Sequence, residues 1–163
     1  MKKLYLLRHA QSGHPPKVDD RDRPLNIRGI QECTAMHAYL SEHGIIPEMV
    51  ICSDAIRTET TAKEVFKGID ANIVPVRKLY LATAGEIIKE IGKIGDDVNL
   101  LMVVGHNPGI QQFAAVLAES NSKAIFAGSR EYHTCALAEF SVNITKWQDI
   151  EPGAGKLERF TGN

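Results

Sequence analysis

Short apolar runs separated by stretches of helical spacing dominate the chain. Leu4 to Leu7, Met49 to Cys52, Ile73 to Val76 and Leu100 to Val104 are apolar at successive positions, and Ala136 to Val142 is mostly apolar. Runs this short, apolar on both alternating faces, predict strands covered by helices on both sides. Between them, Ile30, Cys33, Met36 and Leu40 recur at helical steps, and His43-Gly44 supplies a stop. Ser53 or Asp54 can cap a second helix containing Ile56, Ala62 and Val65. Thr83-Ala84-Gly85-Glu86 fits a capping box ahead of Ile87, Ile88 and Ile91. Asn107-Pro108 reads as an N-cap and N1 proline before Ile110, Phe113, Ala114 and Leu117.

Alternation of this kind predicts a three-layer α/β/α sandwich around a central, mostly parallel sheet. The section from Ser129 to Val142 is less helical and is expected to add a strand at the sheet's edge. The polar run from His14 to Arg23 is expected to be a surface loop near the carboxyl end of the first strand. With no repeat, linker or low-complexity segment, residues 1–163 read as one domain.

Composition narrows the partners. Nineteen Lys+Arg against twenty Asp+Glu give a net charge of −1. That excludes a broad basic footprint for nucleic acid but leaves room for a small anion pocket. No stretch approaches the roughly 18 apolar residues that cross a bilayer, and the apolar segment after Lys3 is too short for a signal peptide. Cys33, Cys52 and Cys135 are odd in number and form no Cys-x-x-Cys pair. Buried thiols in a reducing cytoplasm are the expectation, with no membrane partner.

Ligands of open α/β sheets bind outside the carboxyl ends of the strands. The first strand runs into Arg8-His9, the second ends at Ser53-Asp54 with Arg57 just beyond, and the Leu100–Val104 strand ends at Gly105-His106 before a helix. Two guanidinium forks beside a helix N-terminus favour a compact oxyanion, above all a phosphoryl group. An imidazole beside two permanent cations should have a lowered pKa and serve, neutral, as a nucleophile near pH 7. A second imidazole could offset charge in the transition state. The constellation suits phosphoryl transfer through a covalent phosphohistidine, with no metal or other cofactor.

Taken singly, each residue has a plainer reading. His9 could hydrogen-bond its neighbours, Arg57 could pair with Glu59 or Glu64, and His106 could be a turn residue. Arg23 either reaches over the pocket or is solvated on the surface. Ser12 either contacts phosphate or caps its loop. His37 and His43 are explained by helix packing and dipole, and no metal-ligand spacing occurs. Gly153-Ala154-Gly155-Lys156 lacks the strand-loop-helix setting of a nucleotide loop.

Leu7-Arg8-His9-Ala10 after a strand resembles the Arg-His-Gly signature of the histidine phosphatase superfamily, with alanine in place of glycine. Ser53-Asp54-Ala55-Ile56-Arg57-Thr58-Glu59-Thr60-Thr61-Ala62 is similar to a second block of that superfamily, and Val104-Gly105-His106-Asn107-Pro108-Gly109 to a third. Asp22-Arg23-Pro24-Leu25 with Gly29, and the late Trp147 and Phe160, resemble the small SixA-type phosphohistidine phosphatases. The resemblance implies a phosphoglycerate mutase-like fold, His9 as nucleophile, and Arg8, Arg57 and His106 completing the phosphate pocket. Larger superfamily members use a separate carboxylic acid. Glu86 lies in the matching stretch but is explained by its capping box, and Asp19, Asp20 and Asp22 are further candidates. A protonated imidazole leaves without such an acid, whereas an alkoxide benefits from one. The expected substrate is therefore phosphohistidine on a protein. The alternatives are a phosphatase or mutase for small sugar or nucleotide phosphates, and a non-catalytic phosphoryl-binding module.

Overall fold

The computed structural model describes residues 1–127 and 132–161. Six strands, β1 (Lys2–Arg8), β2 (Met49–Cys52), β3 (Ile73–Pro75), β4 (Leu100–Gly105), β5 (Leu137–Val142) and β6 (Gly155–Phe160), form one sheet in the order β3-β2-β4-β1-β5-β6. Strands β3, β2, β4 and β1 are parallel, while β5 runs antiparallel to β1 and β6 antiparallel to β5. Helices α1 (Ile27–Glu42) and α2 (Ile56–Val65) pack together, as do α3 (Ala84–Ile91) and α4 (Gly109–Leu117), the latter also against the short α5 (Lys123–Phe126).

The pleat sorts the strand residues into two cores. Leu4, Leu6, Leu101, Val103, Ala138 and Phe140 point to the side of α3 and α4. Their neighbours Tyr5, Leu7, Met102, Val104 and Leu137 point to the side of α1 and α2. Strict alternation with both faces apolar is the arrangement expected of strands between two helical layers. Each fully buried Leu or Val stabilises the fold by about 1.5–3 kcal/mol over exposure, so a one-residue slip of β1 would disturb both cores at once.

Local chemistry sets the helix ends. Thr83 and Glu86 form the reciprocal capping box of α3. Helix α1 starts earlier than the apolar period indicates, because the Asn26 side chain accepts the Gly29 N–H. His43 caps its far end, followed by Gly44 at φ +61°, a left-handed turn that glycine adopts without strain.

Three expectations need correction. The expected edge strand is β5, which lies between β1 and β6; the polar β6 is the edge, and residues 129–131 of the section read as strand lie outside the described residues. The N-cap of α2 is Ala55 rather than Ser53 or Asp54; the Ser53 hydroxyl instead accepts the Ala55 N–H at 3.1 Å. Pro108 occupies the N-cap of α4, and Asn107 is turned away from capping, donating from Nδ2 to Gln111 Oε1 and the Tyr132 carbonyl, both at 3.2 Å.

Candidate active site

Parallel pairing of β1 with β4 places Arg8 opposite Gly105, so Arg8-His9 and Gly105-His106 leave the sheet side by side. The His9 N–H donates to the Gly105 carbonyl at 3.0 Å, and the two imidazole rings lie 5.2 Å apart. His9 Nδ1 is 2.7 Å from the Ala10 carbonyl oxygen. A carbonyl only accepts, so Nδ1 carries the ring proton and the lone pair of a neutral His9 is on Nε2. His106 Nε2 is 2.7 Å from the Ser53 hydroxyl, which the structure supports in turn through Thr58 Oγ1 at 2.9 Å.

The second arginine arrives from α2. Thr61 Oγ1 accepts the Ala10 N–H at 3.0 Å, fastening that helix to the turn after β1. Arg57 is buried, and its guanidinium donates to Asp20 twice, at 2.5 Å to the carbonyl and 2.9 Å to Oδ2. Asp20 belongs to the polar loop after β1, which carries a 3-10 turn at Asp20–Asp22. Its carboxylate also accepts from Tyr80 Oη at 2.5 Å and from Arg23 Nη1 at 2.8 Å. The Tyr80 hydroxyl and then the two guanidinium groups hold the Asp20 carboxyl well below the usual carboxylate range. Arg8 is anchored separately, donating to the Tyr132 carbonyl at 2.8 Å.

Arg8, His9, Arg57 and His106 meet at one pocket of about 340 Å³, together with Arg23 and Ser12. Arg23 reaches the pocket wall, donating to the Gly13 carbonyl at 2.9 Å and to the Ser12 hydroxyl at 2.5 Å. Both residues thus line the pocket, with the Ser12 hydroxyl engaged by Arg23. Glu86 does not line this pocket. It is exposed in the neighbouring groove, where the Thr83 amide and hydroxyl occupy its carboxylate and lower its pKa. Among the described residues, no cluster of three His, Cys, Asp or Glu is placed to hold a metal. The three cysteines are buried free thiols.

Both histidines are held neutral. Burial, followed by the charges of Arg57, Arg8 and Arg23, pushes His9 down to about 4, against a partial upward pull from the Ala10 carbonyl. Burial likewise leads for His106, pushed down to about 3, with His9 and Arg57 adding to it. Sequence reasoning assigned the lowering to the adjacent arginines. Desolvation is the larger cause, because both rings are almost fully covered. A pocket with three guanidinium groups and a neutral, oriented Nε2 can hold a tetrahedral oxyanion and attack its central atom.

Two contributors had little or no signature in the chain. Tyr80 belongs to none of the motifs, and Asp20 stood out only as one of three acidic loop residues. Ser53 was visible as a helix cap, not as the partner of His106.

The fold is that of a known class: the chain belongs to the histidine phosphatase superfamily, whose branch 1 sequence profile matches residues 4–87. An uncharacterized protein of Mycobacterium tuberculosis is 38% identical over 157 residues, covering 94% of this chain and 98% of that one. Among solved structures, a Nakamurella multipartitia protein assigned as a SixA phosphohistidine phosphatase superposes with a TM-score of 0.82 at 28% identity, covering 98% of this chain and 95% of that one. The protein histidine phosphatase SixA in complex with tungstate shares the fold, with a TM-score of 0.79 at 19% identity over 98% of this chain and 96% of that one. No described helix is long and apolar enough to cross a membrane.

Proposed function

We propose that this protein is a metal-independent phosphohistidine phosphatase that moves a phosphoryl group from a protein histidine to His9 and then to water. The observation that carries the reading is His9 itself: its Nδ1 is committed to the Ala10 carbonyl, leaving Nε2 as the lone pair beside Arg8, Arg57 and His106. In the first step Nε2 attacks phosphorus in line, the substrate's P–N bond breaks, and the departing imidazole leaves with its proton. In the second, water attacks the phosphorylated His9, the new P–N bond breaks, and phosphate departs with the ring restored. Arg8 and Arg57 hold the equatorial oxygens in both steps, and His106 offsets their charge.

Leaving-group chemistry supports a histidine substrate. Asp20 supplies the carboxyl group among the described pocket residues, and three donors keep it ionised, so it holds no proton for an alkoxide. An imidazole already protonated needs none. The 28% identical Nakamurella protein, assigned to phosphohistidine, supports the same direction. One domain acting in the cytoplasm on a phosphorylated protein completes the proposal, with no role for nucleic acid or membrane.

Rapid quench with a labelled histidine-phosphorylated protein tests it. The expected result is a label on His9 that is labile in acid and stable in alkali. Binding without a trapped label would make the chain a phosphoryl-binding module. Strong preference for sugar esters, with activity lost in Glu86→Gln, would make it a small-molecule phosphatase instead.

A further inference from the structure

Beside the phosphate pocket, and sharing Leu81 with it, lies a larger groove of about 730 Å³ between α3 and the segment around Tyr80. Its walls carry three lysines, Lys78, Lys89 and Lys93, against two carboxylates, Glu86 and Glu90. Both carboxylates are engaged. Glu86 closes the capping box with Thr83, and Glu90 accepts from Lys93 Nζ at 2.6 Å. Lys78 forms no ion pair among the described residues, and Lys89 acts on Glu86 through its charge, so three lysines against two carboxylates leave the walls one positive charge in excess. Arg21, paired with Asp54 at 3.6 Å, lies with its guanidinium 4.3 Å from the Tyr80 ring centroid.

Leu81 stands at the lip between the two cavities. It is 55% exposed and adopts φ +48°, a left-handed conformation that leucine rarely takes. An apolar side chain held in the open by a strained backbone, with cations on either side, is suited to contact rather than to core packing. A molecule whose phosphoryl group occupied the pocket and whose remainder extended toward α3 would cross Leu81 and enter the groove.

We propose that this groove docks an acidic protein surface flanking the phosphorylated side chain, with Lys78 and Lys89 reading its carboxylates and Leu81 meeting an apolar residue. This deepens the phosphatase reading and rests on it. The lysines favour a protein over a second compact anion: they are exposed and spread over the walls, whereas a small anion is gripped by buried, converging donors. Exposed charges at the rim of an interface set orientation and encounter rate, which is how a partner surface is selected.

The test uses the full chain and three substrates: phosphoramidate, and two histidine-phosphorylated peptides that differ only in acidic or neutral residues flanking the phosphohistidine. The wild-type kcat/KM should favour the acidic peptide by about five-fold at low salt and lose that preference near roughly 0.5 M salt. In Lys78→Glu/Lys89→Glu the preference should vanish or invert, and in Lys78→Gln/Lys89→Gln it should vanish, while phosphoramidate turnover stays within about two-fold of wild type. Equal turnover of both peptides by the wild type, or a preference retained in both variants, would overturn the docking proposal alone. Turnover of phosphoramidate with neither peptide accepted would overturn the protein substrate and the docking site together. A lysine-dependent preference for a bisphosphorylated small molecule, without peptide preference, would replace the protein surface by a small anion.

Discussion

Keeping His9 and His106 neutral inside the fold ties the folding equilibrium to pH, and the sign follows from the direction of the shifts. An imidazole of ordinary pKa 6.5 in the unfolded chain takes up a proton as pH falls, whereas His9 in the folded chain resists until about 4. The stabilisation is therefore complete above 6.5 and is lost as pH falls from there towards 4. Between about pH 8 and about pH 5, linkage makes the loss about 2 kcal/mol for His9. The same arithmetic for His106, held at about 3, gives another loss of about 2 kcal/mol. Together these are a large share of the roughly 5–15 kcal/mol that stabilises a domain. Asp20 does not confuse the measurement, because its carboxyl is held below an ordinary value of 3.8 and stays ionised throughout this range. Urea unfolding of wild type and His9→Gln at the two pH values isolates the His9 contribution. The variant should lose about 2 kcal/mol less than wild type on acidification. Equal losses in the two proteins would refute the claim that burial holds His9 neutral.

His9→Ala should abolish turnover while leaving the urea midpoint and vanadate binding largely intact; steady-state kinetics with vanadate titration checks this, and full activity would remove His9 from the mechanism. Asp20→Asn removes the carboxylate that occupies the Arg57 fork and should tighten inorganic phosphate as a competitive inhibitor by about five-fold. A weakened inhibition constant would instead mean that Asp20 positions Arg57 for the substrate. Gly109→Ala should cost about 3 kcal/mol, because an added Cβ collides with the Ala82 carbonyl where α4 meets the residues before α3. Thermal unfolding measures it, and an unchanged Tm would show that this contact yields freely.

Much of the architecture was written in local patterns. Two-sided apolar runs marked β1 to β5, because a strand between helical layers buries both faces and needs little else to declare itself. Thr83 and Glu86 announced the start of α3 through side-chain chemistry confined to a single turn. Strand β6 escaped because Gly155–Phe160 is an edge strand of largely polar residues, paired with β5 by backbone bonds that leave no apolar signature. The expectation that Asn107 caps α4 failed for a related reason, since its amide serves the distant Tyr132 carbonyl.

For the site, the chain by itself determined which residue types stand at three strand ends: Arg8-His9, Arg57 and His106. Tertiary structure decided what those groups became. Parallel pairing of β1 and β4 brought the imidazoles together, and burial, more than the neighbouring cations, lowered their proton affinity. Packing also joined Asp20, Arg57 and Tyr80, separated by up to sixty residues in the chain, into one hydrogen-bonded group. Local sequence carries periodicity and caps because these involve neighbours a few residues apart. Desolvation and long-range ion pairing depend on which surfaces cover a group, and that is settled only when the layers close around the sheet.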